Sequence, residues 1–113
     1  MEISKLTDHD VYPATVTETV ARQGRSFAEI CFALCEDGCY RFSLSLQYSY
    51  GGYGGPIYAT AEPFASLDAA RTAALEKLLA DWPNHWWDPA SVHEELRRLR
   101  TQVEAKLTQP SLF

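Results

Sequence analysis

The sequence has few of the side chains and segments on which catalytic and membrane proteins depend. Its 113 residues include three cysteines, three histidines and one methionine. No stretch approaches the ~20 consecutive apolar residues that a membrane-spanning helix needs, so we expect no membrane partner. The opening residues are partly acidic and contain no apolar run, unlike a secretory signal. We therefore expect a cytoplasmic protein whose thiols stay reduced.

The cysteines do not form a metal-binding pattern. Cys31, Cys35 and Cys39 follow one another at intervals of four, and no histidine lies near them in the sequence to complete a zinc site. We expect free thiols in a hairpin, no metal and no cofactor. A catalytic site assembled from distant residues stays open as an alternative to a non-enzymatic protein.

Composition and charge indicate one ordinary globular domain. The apolar content is 46%, the charged content is 22% and the net charge is −5. A chain of this length and composition builds one modest core, and its negative charge disfavours non-specific binding to nucleic acid. We predict a single α+β domain over residues 1–107 and a tail over residues 108–113.

Alternating apolar and polar side chains in the first half of the chain predict three β-strands. We expect strands at about 14–21, 25–34 and 39–50. Two three-residue loops, 22–24 and 36–38, each end in glycine, which supplies the positive φ of such a hairpin loop. The strands therefore form a three-stranded antiparallel meander.

The register of this meander follows from burial. Pairing of Cys35 with Cys39 places four apolar pairs on one face. These are Leu34–Tyr40, Phe32–Phe42, Ile30–Leu44 and Ala28–Leu46. A three-residue first loop pairs Val16 with Ile30 on the same face. Glu18 interrupts this apolar face, so we expect its strand at an edge of the sheet or Glu18 itself near the rim.

Two helices are predicted in the second half of the chain. Ser66 as N-cap and an apolar stripe after it predict a helix over 66–82, which covers the apolar face of the sheet. Asp88 as N-cap and Pro89 at the first helical position predict a second helix over about 89–107. The narrow apolar stripe of this second helix either packs on the domain or pairs with another copy in a homodimer.

A glycine- and tyrosine-rich segment joins the strands to the helices. By alternation Tyr48 and Tyr50 belong to the core face, which leaves Tyr53 and Tyr58 as candidate partner contacts. Residues 57–61 are extended enough for a short fourth strand. The segment has neither the spacing of a phosphate-binding loop nor that of a dinucleotide fingerprint.

Two adjacent tryptophans, Trp86 and Trp87, lie between the predicted helices. They either pack at the end of the core, which is the commoner position of tryptophan, or form an exposed contact with a partner. We expect the first and keep the second as a candidate secondary contact.

The outer face of the predicted sheet is polar, rich in hydroxyls, and carries Arg25 and Arg41. A three-stranded sheet under a helix resembles, in architecture, the DNA-binding module of some phage integrases, whose outer sheet face enters a groove. That resemblance implies a nucleic-acid-binding accessory domain, with both arginines as contacts. The integrase sheet is strongly basic, however, whereas the first 65 residues here carry four basic and eight acidic side chains. We therefore expect a solvated outer face and no direct binding of nucleic acid.

The chain ends in Gln109, Pro110, Ser111, Leu112 and Phe113. These five residues resemble the bacterial sliding-clamp-binding peptide, which has glutamine, a variable residue, serine or aspartate, leucine and phenylalanine. Four of the five match, and Pro110 stands at a tolerant position where leucine is commoner.

The resemblance implies a non-enzymatic interaction protein of a bacterium, or of its phage or plasmid, that docks on the replication clamp. Leu112 and Phe113 would fill an apolar pocket on the clamp, while the Gln109 amide would orient the peptide. Pro110 would reduce the entropy lost when the tail becomes ordered. Two other interpretations stay open: a tail that folds back on the core, and a tail that contacts nothing.

Overall fold

The structure is a computed structural model that describes residues 1–108, and the tail motif at 109–113 lies outside the described residues. The strands precede the helices along the chain. The elements are β1 (Val11–Tyr12), β2 (Val16–Gln23), β3 (Ser26–Leu34), β4 (Tyr40–Tyr48), β5 (Gly51–Tyr53), β6 (Ile57–Tyr58), α1 (Leu67–Ala80) and α2 (Ala90–Leu107).

The main sheet is antiparallel and has the order β2-β3-β4-β5. The predicted α+β class and meander are confirmed. All four predicted apolar pairs between β3 and β4 occur, and they place Ala28, Ile30, Phe32 and Leu46 in the core.

The predicted register between β2 and β3 is wrong by two residues, because Val16 pairs with Phe32 rather than with Ile30. The connecting turn has two residues, Gly24 (φ 61°) and Arg25, instead of three. A two-residue turn alone would have pointed the threonines of β2 inward. A bulge between Thr19 and Ala21 adds one residue to β2 and returns Val16 to the inner face.

β4, the third of the predicted strands, ends earlier than predicted, at Tyr48, and the chain turns back at once into β5. Tyr48 is buried as expected, whereas Tyr50 lies in the turn and is 63% exposed, so its predicted core position is wrong. The close return requires glycine, because a Cβ on Gly52 would lie 2.4 Å from the Leu46 carbonyl oxygen. The fourth strand of the main sheet is therefore Gly51–Tyr53, while Ile57–Tyr58 pairs with β1 in a separate ribbon.

Both helices cover the inner face of the sheet. As predicted, the Ser66 hydroxyl caps α1, accepting a hydrogen bond from the Ala69 N–H at 3.1 Å. The predicted capping role of Asp88 is wrong, because Pro89 is the N-cap of α2 and no side chain caps that helix. The apolar stripe of α2 is buried in the same core as α1, which is the first of the two packings that the sequence left open. Its members are Val92, Leu96, Leu99 and Val103.

The outer face of the sheet is partly covered, contrary to the expectation that it is solvated. Ile57, from the β1–β6 ribbon, forms a second small core with Ala33 and Cys35. All three side chains are buried, because the ribbon folds over the end of the sheet near the β3–β4 turn. The part of the outer face near the β2–β3 turn stays accessible.

A buried ion pair joins the edge of the sheet to both helices. The Arg71 guanidinium donates two hydrogen bonds to the Glu18 carboxylate, at 2.8 and 2.9 Å, and a third to the Lys106 carbonyl at 3.5 Å. The side chains of Arg71 and Glu18 are 5% and 12% exposed. The hydrogen bonds to Glu18 raise the pKa of Arg71. Glu18 thus lies on an edge strand, as expected, with its charge neutralised inside the fold.

Candidate interaction surfaces

The predicted docking peptide begins directly after the last described helix. α2 ends at Leu107, and Thr108, its exposed C-cap, is the last described residue. Clamp docking by Gln109, Ser111, Leu112 and Phe113 therefore stays a prediction from the sequence. The structure contributes the position of the attachment point, at the C-terminal end of α2.

Trp86 and Trp87, here called the tryptophan pair, are exposed, and their expected position in the core is wrong. Their exposed fractions are 82% and 64%. The two indoles meet edge to face with centroids 5.7 Å apart, and the His85 ring stacks on Trp87 at 4.8 Å. Trp82, at the end of α1, packs against the core in their place. The tryptophan pair is therefore a surface feature built from stacked rings.

A buried carboxylate lies next to the tryptophan pair. The Asp88 side chain is 7% exposed, and its Oδ2 is 3.5 Å from His85 Nδ1 without a hydrogen bond from any described residue. Burial raises the pKa of the Tyr48 hydroxyl, and the negative charges of Asp88 and Glu95 raise it further. This end of the molecule therefore combines exposed aromatic surface with negative charge.

The two tyrosines that the sequence singled out, Tyr53 and Tyr58, line one cleft, here called the β4 cleft. It has a volume of about 420 Å³ and lies where β4 has no neighbouring strand. Burial raises the pKa of Tyr53, and the nearby Asp81 carboxylate adds to this shift. The sequence singled out both tyrosines as candidate partner contacts, which stays a prediction, and it gave no indication that the exposed edge of β4 lies between them.

The two arginines proposed for nucleic-acid contact have different environments. Arg41 is buried: it donates two hydrogen bonds to Asp37, at 3.0 and 3.2 Å, and one to the Ala61 carbonyl at 3.1 Å. The hydrogen bonds to Asp37 raise the pKa of Arg41. Its guanidinium also lies 5.5 Å from the centre of the Tyr12 ring. Arg25 is exposed at the β2–β3 turn, so of the two arginines only Arg25 is free to meet a phosphate.

The described part of the chain has no cluster of side chains placed to bind a metal ion. Among residues 1–108, no group of three or more His, Cys, Asp or Glu side chains is placed to hold a metal ion. The three cysteines are free thiols. Over the same residues, neither helix has the length and apolar character that crossing a bilayer requires.

Comparison with known proteins gives no relative: no family model, curated protein or solved structure matches the chain. A functional hypothesis therefore depends on the surfaces described above.

Proposed function

We propose that this chain is a non-enzymatic adaptor protein of a bacterium, or of its phage or plasmid. It docks on the replication sliding clamp through Gln109, Ser111, Leu112 and Phe113, and it holds a second protein on its folded body. The tail sequence supports the clamp as one partner, and the exposed tryptophan pair supports a second protein contact on the folded body.

The observation that carries the interaction function is the exposure of both indoles. Tryptophan is among the residues enriched in the energetic centres of protein interfaces, and adjacent exposed rings are costly in a protein that has no partner. At 82% and 64% exposure, Trp86 and Trp87 offer a large rigid contact area. His85 stacking holds one of the rings in place.

The positions of the two contacts suit an adaptor. The tryptophan pair lies just before α2, and the tail follows it. The 18 residues of this helix separate its ends by about 27 Å at 1.5 Å per residue. A partner on the tryptophan pair would therefore leave room for a clamp at the other end.

A binding experiment with purified clamp tests the proposal. The full chain should be retained on immobilised clamp, and a chain with Leu112→Ala and Phe113→Ala should lose at least about tenfold in affinity, since two buried anchors are removed. A chain with Trp86→Ser and Trp87→Ser serves as the matched control and should bind the clamp as the full chain does. Equal retention of all three chains would contradict docking through the tail.

A further inference from the structure

Part of the β4 edge is open beyond the end of β5. On this side Tyr40 pairs with Phe64, and Leu46 pairs with Tyr53. Within residues 1–108, neither Phe42 nor Leu44 has a strand partner on this side. Six residue steps at about 3.4 Å each place roughly 20 Å between Tyr40 and Leu46, which is the length of the gap.

The backbone groups of Phe42 and Leu44 point into this gap. In an antiparallel ladder, successive residues direct their N–H and C=O alternately to the two sides. Tyr40 exchanges both hydrogen bonds with Phe64, each at 2.8 Å, so the alternation directs residues 42 and 44 to the same side as Tyr40. The gap therefore presents two N–H donors and two C=O acceptors at strand spacing.

The walls of the β4 cleft are largely apolar. Phe42 and Leu44 line its inner side, Pro56 comes from the loop after β5, Tyr58 comes from β6, and Tyr53 closes one end. A backbone edge that repeats its donors and acceptors every second residue matches another extended backbone more closely than it matches a compact ligand. Addition of a strand to an exposed sheet edge is a common mode of peptide recognition.

We propose that the β4 cleft binds a short extended peptide segment of a partner protein, which adds to the sheet as a strand of three residues opposite Phe42, Ser43 and Leu44. The first and third residues of this segment point to the inner side, where apolar side chains suit Phe42 and Leu44. The middle residue points to the outer side near Ser43, where a small polar side chain fits. This site is independent of clamp docking by the tail.

The test uses an N-acetylated, C-amidated Val-Ser-Val peptide and amide hydrogen exchange resolved by residue with NMR. In the free protein, the amides of Phe42 and Leu44 should exchange faster than those of Arg41 and Ser43, which face β3. A few ladder hydrogen bonds correspond to a Kd on the order of millimolar. At a peptide concentration ten times Kd, exchange at residues 42 and 44 should slow about tenfold.

The control peptide has the same sequence with N-methylated valine amides, which removes ladder donors and leaves the side chains in place. It should leave exchange at Phe42 and Leu44 unchanged. Unchanged exchange with the parent peptide at about 10 mM, or equal slowing by both peptides, would overturn strand addition.

A pair of variants localises the binding. Gly55 lines the cleft, and a Cβ there meets no atom within 4 Å, so the backbone accommodates Gly55→Phe, whose ring should abolish the slowing. Ala69→Phe, on the exposed face of α1, adds the same ring elsewhere and should preserve it. Normal peptide binding by a folded Gly55→Phe chain would overturn the assignment to this cleft.

Discussion

The two edges of the main sheet are finished differently. At the β2 edge, the Gln102 side chain of α2 accepts a hydrogen bond from the Arg22 N–H at 2.9 Å and donates one to the Arg22 carbonyl at 3.0 Å. One amide side chain thus occupies both backbone groups of Arg22, as a neighbouring strand would at that position. At the β4 edge, Phe42 and Leu44 have no such partner among the described residues. Because unprotected strand edges invite further pairing, this difference is the reason for proposing the peptide site at Phe42 and Leu44 rather than at Arg22.

On the β2 side of the molecule, charged side chains hold α2 in place together with the Gln102 amide. The Glu18–Arg71 pair joins β2 to α1 and reaches the C-terminal turn of α2. Near the other end of α2, Glu95 accepts hydrogen bonds from the hydroxyl groups of Ser26 and Ser49. These contacts fix α2 over the sheet, so their removal should loosen the packing of α2 on the β2 side and leave the β4 cleft unchanged.

The largest effect is expected from breaking the buried ion pair. Glu18→Ala leaves the Arg71 charge buried without its partner, so the free energy of unfolding should fall by about 3–5 kcal/mol, as measured by urea denaturation. The double variant Glu18→Leu with Arg71→Met removes both charges and should recover most of this loss. The exposed Lys77–Asp81 pair is the control, since Asp81→Asn should cost under about 1 kcal/mol. Equal losses for the single and double variants would contradict the pairing argument.

A smaller, pH-dependent effect is expected at Glu95. Burial alone would raise the pKa of this carboxyl, but hydrogen bonds from Ser26 and Ser49 outweigh burial and lower it. A lowered pKa in the folded state means that Glu95 stabilises the protein above its unfolded pKa of about 4.3. This contribution is lost as the pH falls through the folded value.

Glu95→Gln should therefore lower the free energy of unfolding at pH 7 by about 1 kcal/mol, a modest figure because solvent screens a partly exposed carboxylate. The difference between Glu95→Gln and the natural chain should shrink as the pH falls below about 4. Denaturation curves at both pH values measure it. A difference that grew on acidification would contradict the assigned sign.

The smallest effect is expected from removing the Gln102 hydrogen bonds to Arg22 at the β2 edge. Gln102→Ala removes both hydrogen bonds to Arg22, but water can replace them, so the free energy of unfolding should fall by only about 0.5 kcal/mol. Amide exchange at Arg22 should then rise toward that of Leu44, which makes the two edges alike. Thr101→Ala, at the neighbouring exposed position on α2, is the control. Unchanged exchange at Arg22 in Gln102→Ala would show that the amide does not protect this edge.

Much of the fold was predictable because alternation and helical spacing record burial directly. The β3–β4 register, the Ser66 cap and the α2 stripe all follow from which side chains are apolar. The bulge in β2 was not predictable, because one extra residue changes the pairing without changing the alternation on either side of it. The burial of Arg41 was also not predictable, because its hydrogen-bond partners lie in irregular segments. Asp37 lies in the β3–β4 turn, and Ala61 lies in the loop after β6.

The candidate surfaces were predictable only in part. Tyr53 and Tyr58 could be selected as aromatic residues on a glycine-rich chain, yet the cleft between them depends on where β5 stops pairing with β4. The exposure of Trp86 and Trp87 ran against the usual burial of tryptophan, because Trp82 already occupies the end of the core. The tail motif at 109–113 stays a prediction from the sequence, where a docking peptide is identified by a few residues in a fixed order.

Clamp docking is tested most directly by competition. A labelled peptide with the sequence of residues 109–113 is bound to purified bacterial sliding clamp, and the unlabelled full chain is added while fluorescence anisotropy is recorded. We expect the full chain to displace the peptide, and a chain with Leu112→Ala and Phe113→Ala to require at least about tenfold higher concentration. Displacement that is equal for the two chains, or absent for both, would contradict it.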